Sequence, residues 1–221
     1  MSTIEQDSLE HRWNDFQHLD QIRNHWYWRP GWRQGRTFYT WHLTFTHATA
    51  LHQLSERIQH AIDVPALTMV PDEWLHLTMQ GLGFTDDISD IDIDAIVKAV
   101  TRRCTAIQQF DITLGPVDPD AEGVGLLITP WQPVVDLRLT VRAGIADIWD
   151  HVPEQQDDFR PHVTVAYSAA DAPAADIRDR LTPLRDLPPA RVHVEAVELI
   201  RLNRDEHVYR WDTVMSVPLA R

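Results

Sequence analysis

With 221 residues, 43% of them hydrophobic and 24% charged, the chain has the make-up of a soluble globular protein long enough for one large domain or two joined lobes. A single cysteine, Cys104, excludes an intramolecular disulfide framework and a cysteine-built zinc site. A net charge of −13 argues against sequence-independent binding of long DNA or RNA, where phosphate contacts dominate affinity, but leaves room for a local basic pocket that holds a short phosphorylated ligand.

Lys98 is the only lysine, and no GxxxxGK(S/T) loop is present, so lysyl-nucleotide and P-loop chemistry have no carrier. The opening MSTIEQDSLEHR lacks the basic-then-apolar pattern of a signal peptide, and no apolar run approaches bilayer length. The expectation is a cytoplasmic protein without a membrane partner; the sequence does not speak to its oligomeric state.

Residues 5–26 read as an amphipathic helix, with Leu9, Trp13, Phe16, Leu19, Ile22 and Trp26 recurring every three or four positions. His11, His18 and His25 fall beside that stripe, two helical turns apart. Ligands so spaced cannot close around one ion, so these histidines read as a solvated helix edge. The segment WYWRPGWRQGR (26–36) interleaves Trp26, Trp28 and Trp32 with Arg29, Arg33 and Arg36 and contains no acid. It can stack bases and hold phosphates, or it can be an aromatic flap packing the first helix onto the body. The chain accordingly divides into an N-terminal part, 1–35, and a body, 36–221.

From Thr37 the pattern turns to alternation. Strands are expected over 37–45, 74–80, 110–115, 123–129, 161–167, 191–202 and 207–217, and helices over 48–62, 88–107, 132–149 and 174–184. An acidic loop, 154–158, precedes the strand PHVTVAY. This mixed order predicts the α+β class, with antiparallel sheets and outer helices.

An internal repeat organises the body. HLTM begins at His76 and HVTV at His162, an offset of 86 residues. The same offset carries strand 37–45 onto 123–131, helix 48–62 onto 134–148 and strand 110–115 onto 196–201. Four elements obeying one shift point to a duplicated, bilobal framework around a central cleft.

Within a strand, residues i and i+2 share a face. His76 with Thr78, and His162 with Thr164, then point one way, while Leu77, Met79, Val163 and Val165 point into apolar packing. Two imidazoles and two hydroxyls converging across a cleft suit a phosphodiester. One neutral imidazole takes a proton from water, the other gives one to the departing ribose oxygen, and the hydroxyls hold non-bridging oxygens. The acid and the base both come from the protein, so neither metal nor cofactor is expected. The competing account is a pair of hydrogen-bonded histidines on two core strands. A third HxT, His42-Thr44, has no partner in the repeat, because the equivalent of His42 is Ile128; it reads as strand packing or cleft lining.

HLTMQGLG (76–83) and RPHVTVAY (160–167) resemble the paired HxTx signatures of the 2H phosphoesterase superfamily, which includes 2'-5' RNA ligase-like proteins and cyclic nucleotide phosphodiesterases. RTFYTW (36–41) is similar to the family's opening strand. The resemblance spans roughly 36–217. It implies a bilobal α+β fold, metal-independent cleavage or formation of 2',3'-cyclic or 2'-5' phosphodiesters, and a small nucleotide or RNA end as partner. It makes His76 and His162 the acid–base pair and Thr78 and Thr164 the phosphate holders. Two departures stand out: Gly81 where many members carry an aromatic residue after the first motif, and Tyr167 where many carry an arginine closing the second. Gln80, Tyr167, Arg160 and the Trp/Arg segment are candidates to replace those contacts, and Tyr39, Trp41 and His42 are candidates for contacts from the opening strand.

Other constellations fail. No HExxH, GxSxG or Gly-rich dinucleotide loop occurs, and Asp86, Asp87, Asp90, Asp92 and Asp94 read as helix-start and solvated acids rather than calcium ligands. A nucleotide-binding module without turnover, a metal-dependent hydrolase and an RNA ligase remain as alternatives.

Overall fold

The computed structural model describes residues 3–157 and 159–221. It opens with α1 (Thr3–Gln17) and a two-residue strand, β1 (Gln21–Ile22). The first half of the repeat follows as β2 (Phe38–Thr44), α2 (Thr49–Ala61), β3 (Leu67–Met69), β4 (His76–Phe84), α3 (Asp90–Cys104) and β5 (Phe110–Pro119). The second half runs β6 (Gly123–Thr129), α4 (Gln132–Ala146), β7 (His162–Ser168), β8 (Ala172–Pro173), α5 (Ala175–Leu181), β9 (Ala190–Val194), β10 (Ala196–Asn203) and β11 (Arg210–Pro218).

Local chemistry accounts for the elements. In α3, Ile93, Ile96, Val97, Val100 and Cys104 build one buried face, and the Ser89 side chain caps the start by accepting from the Asp92 N–H. Asp90 and Asp92 lie in the first turn and Arg102 and Arg103 in the last, each complementing the helix dipole. In β4 and β7, Leu77, Met79, Val163 and Val165 are buried, as the alternation requires. Each such side chain contributes about 1.5–3 kcal/mol by leaving water.

Two antiparallel sheets hold the site, one ordered β4-β2-β10-β11 and the other β7-β6-β5-β9, with β3 added on the outer side of β7. The 86-residue offset maps β4 onto β7, β2 onto β6 and β5 onto β10, so three strands of each sheet correspond, while the outermost strands β9 and β11 both come from the second half. The third of these repeated strands in each half pairs in the sheet of the other half: β5 lies beside β6, and β10 beside β2. Helices α3 and α4 pack on each other, α2 packs on β7 and β9, and α1 lies against β5.

Three expectations need correction. The helix expected over 5–26 ends at Gln17. Beyond it, Gln21 and Ile22 pair with Pro173 and Ala172, and Arg178 hydrogen-bonds the Leu19 carbonyl at 2.5 Å, so tertiary pairing overrides helical spacing. Leu9, Trp13, Phe16, Ile22 and Trp26 are buried even so. The strand expected over 191–202 is two strands: β9 pairs with β5, the chain changes sheets at Glu195, and β10 pairs with β2. Finally, β3 and the β1–β8 pair were not expected; each has two or three residues, too few to show a period. Of the acidic loop, Asp158 lies outside the described residues.

Candidate active site

Each motif strand carries an irregularity at the same place in the repeat, and β4 has a second at Leu82. Along β4, Thr78 pairs with His42 and Gln80 with Trp41, leaving Met79 as an extra residue. Along β7, Thr164 pairs with Gly125 and Ala166 with Val124, leaving Val165 extra. Met79 and Val165 are 86 residues apart. A bulge re-aims the residues after it, so the face shared by His76 and Thr78 passes to Gly81, and that of Thr164 passes to Tyr167. The carbonyls freed by the bulges are satisfied crosswise. Arg138 on α4 donates to Met79 O at 2.8 Å, while Gln59 on α2 and the Val70 N–H both donate to Val165 O at 2.9 Å. Each helix thus braces the motif strand of the opposite half.

The two motif histidines are pinned identically. His76 Nδ1–H donates to the Trp74 carbonyl at 2.8 Å, and His162 Nδ1–H donates to the Arg160 carbonyl at 2.9 Å. A carbonyl only accepts, so each bond fixes the proton on Nδ1 of the neutral ring and leaves Nε2 for chemistry. Strands β4 and β7 are in contact, and a charge on His162 disfavours one on His76. Their surroundings differ. His76 is 8% exposed, and burial pushes its pKa down to about 4, against the pull of the Trp74 carbonyl. His162 is exposed to water.

Aromatic rings wall the first motif. The His76 ring lies edge-on to Trp211 and Tyr209, with centroids 5.3 and 5.9 Å away, and Trp74 meets Trp211 at 4.8 Å. Tyr209 also reaches Tyr167 of the second motif strand at 5.3 Å, tying the two sides together. Behind them His25 stacks on Tyr167 at 4.2 Å, donates from Nδ1 to Glu122 Oε2 at 2.9 Å and accepts from the Tyr209 hydroxyl at 2.8 Å. Burial, aided by Arg29, pushes the His25 pKa down to about 4. His25 is therefore not the solvated edge expected for it; the chain leaves the helix before reaching it. Among the described residues, no group of three or more His, Cys, Asp or Glu side chains gathers as a metal site.

The sequence profile of the 2'-5' RNA ligase superfamily matches residues 50–206, which include both motifs. The chain belongs to this superfamily, the 2H phosphoesterases. Among solved structures, TT0787 of Thermus thermophilus is 18% identical, with a TM-score of 0.63 covering 83% of this chain and 97% of that one. E. coli LigT complexed with phosphate is also 18% identical, with a TM-score of 0.59 over 84% of this chain and 99% of LigT. LigT complexed with 3'-AMP is 17% identical, with a TM-score of 0.60 over the same shares. At these identities the likeness is one of fold. No curated protein matches the chain.

Among the candidates raised from the sequence, Thr78 is exposed, and its Oγ1 is 3.3 Å from His42 Nε2. Thr164 is half-buried, on the strand face that passes to Tyr167. Gln80 and Trp41 are fully buried, on the face opposite Thr78 and His42. The Gln80 amide donates to the carbonyls of Gly81 and Pro153 and accepts from Arg142. The bulge is the reason, since without it Gln80 would share a face with Thr78. Arg160 gives its guanidinium to the buried Asp118 and to Ser8, and only its carbonyl serves the site, by holding His162. Tyr39 is half-buried in β2 between Arg201 and Gly83.

The superfamily position left small at Gly81 is occupied by other groups. A Cβ there would lie 2.5 Å from Glu154 Oε1 and 3.1 Å from the Phe38 ring. In the Trp/Arg segment, Arg29 pairs with Glu122, Arg33 with Asp86, and Arg36 with Asp86 and Asp87, while Trp32 stacks on Phe38. Sequence reasoning did not find Trp74, Tyr209, Trp211 or His25 as neighbours of the motifs. They come together through long-range pairing that no local pattern reports.

Proposed function

We propose that this chain is a metal-independent phosphodiesterase that hydrolyses 2',3'-cyclic or 2'-5' phosphodiesters of a small nucleotide or RNA end. The supporting observation is the paired imidazoles. Both are locked by Nδ1 to the carbonyl two residues earlier, both present Nε2, and each has a threonine two residues later. His76, kept neutral by burial, is the general base; its Nε2 takes a proton from water as the water oxygen bonds to phosphorus. His162, open to solvent, is the general acid; its Nε2–H passes to the ribose oxygen as the P–O bond breaks. The Thr78 and Thr164 hydroxyls donate to the non-bridging oxygens, where negative charge builds. The ring faces of Trp74, Trp211 and Tyr209 provide stacking surface for a base, and complexes of the related LigT with 3'-AMP and ATP accord with a small nucleotide ligand.

The test is a turnover screen with nucleoside 2',3'-cyclic phosphates and 2'-5' dinucleotides, run on the wild type beside His76→Ala and His162→Ala. Loss of turnover in both variants is expected. Unchanged hydrolysis in both sinks the proposal, and tight nucleotide binding by a wild type that turns nothing over favours a binding module.

A further inference from the structure

His42 is a polar ring at the centre of the site to which the hydrolysis above gives no task. It is 1% exposed. Its ring lies parallel to that of His76, with a 2° interplanar angle and centroids 4.5 Å apart, and Trp211 closes another side edge-on at 5.8 Å. Its Nε2 stands 3.3 Å from Thr78 Oγ1, and its buried Nδ1 has no hydrogen-bond partner. The second half has no counterpart: the residue paired with Thr164, as His42 is with Thr78, is Gly125 rather than the Ile128 that the sequence offset gives.

A neutral imidazole carries one N–H and one lone pair. With the proton on Nδ1, a buried donor would go unsatisfied, and Thr78 would have to turn its only hydrogen inward toward Nε2. With the proton on Nε2, the unpartnered Nδ1 is an acceptor, which native interiors tolerate better than an orphaned N–H. Burial, reinforced by the neighbouring His76, drives the pKa of His42 well down and keeps the ring neutral.

We infer that His42 is a positioning residue: its Nε2–H donates to Thr78 Oγ1, turning the threonine hydrogen toward the cleft to donate to a phosphoryl oxygen. The inward bond rests on the geometry alone, and the phosphoryl contact rests on the phosphoesterase reading.

The test compares the wild type, His42→Phe, His42→Gln, Thr78→Val and the double variant His42→Phe/Thr78→Val on a nucleoside 2',3'-cyclic phosphate. Phenylalanine keeps the ring stack and removes the donor, and a roughly tenfold fall in kcat with KM little changed is expected, because the contact strengthens as charge builds. His42→Gln, which retains a donor, recovers part of that loss. The double variant is no slower than Thr78→Val alone; additive losses overturn the inference. Long-range 1H–15N spectra of the wild type give a readout independent of turnover and of variant folding. His42 is expected in the neutral Nε2–H form at pH 7, and an Nδ1–H form overturns the inference. A wild type inert toward every diester that still shows Nε2–H on His42 refutes the phosphoesterase reading and leaves the inward hydrogen bond in place.

Discussion

The two motif strands carry the same letters in the same bulged frame, yet they sit in different surroundings. On the β4 side the imidazole is buried under His42 and Trp211, and the threonine is met by a histidine. On the β7 side the imidazole faces water, and the residue paired with the threonine is Gly125, which has no side chain to meet it. The shared features are backbone features: a bulge after the motif threonine and a carbonyl two residues before the histidine. The differing features are side chains packed around them. Duplication therefore supplies the geometry, while divergent neighbours set the protonation state. Acid–base catalysis needs both, since two groups of one type do complementary work only when their environments separate them.

The largest expected effect tests that division of labour. His76→Asn and His162→Asn should each lower kcat by about a hundredfold or more on any diester the wild type hydrolyses. They should differ in the pH–rate profile, His76→Asn removing the acid limb and His162→Asn the alkaline limb. The opposite pairing would reverse the roles.

Next in size is the crosswise bracing. Arg138→Ala removes donors from Met79 O and from the carbonyls of Gln155 and Gln156, and should cost about 3 kcal/mol in urea unfolding. Gln59→Ala removes the donor to Val70 O but leaves Val165 O served by the Val70 N–H, and should cost about 1.5 kcal/mol. Equal costs would mean that the bulges are not braced unequally.

An effect that grows gradually as pH falls appears in acid. His76 and His25 hold pKa values near 4 in the folded chain, against 6.5 when unfolded. Above pH 6.5 neither ring affects stability. As pH falls from 6.5 to 4 the unfolded chain binds protons that the folded chain refuses, so each ring should remove about 1.4 kcal/mol per pH unit. His76→Phe should flatten that slope by one proton, measured as the pH dependence of the urea midpoint. The smallest change is Gly81→Ala. Its new Cβ meets the movable end of Glu154, so a loss of about 1 kcal/mol and near-normal turnover are expected.

Much of this molecule was legible in its sequence because the information is local or repeated. The 86-residue offset located β2, α2, β4 and β5 together with their counterparts, and the alternation in His76-Leu77-Thr78-Met79 placed Leu77 and Met79 in the core. What escaped depends on pairing across long separations. A bulge leaves no mark in an alternating string, so Gln80 reads as a neighbour of Thr78 when it lies on the opposite face. The spacing that ends in Ile22 and Trp26 is helical, yet those residues are buried by a strand and a loop. The run 191–202 is continuous in β-propensity, and only the partners on either side of Glu195 reveal the change of sheet. His25 bonds Glu122 and Tyr209 across 97 and 184 residues, and Tyr209 and Trp211 meet His76 from the far end of the chain, beyond any periodic signal.

The exchange of β5 and β10 between the sheets has a consequence for the origin and divisibility of the chain. A polypeptide of one repeat alone would project its third strand away from its own sheet, with nothing to pair against except the same strand's site in a second copy. Such a half would exist as a swapped homodimer, and the six repeated strands of the present chain are arranged as in that dimer with its subunits fused, with β9 and β11 added from the second half. Severing the link between β5 and β6 should accordingly yield fragments that are competent only when mixed.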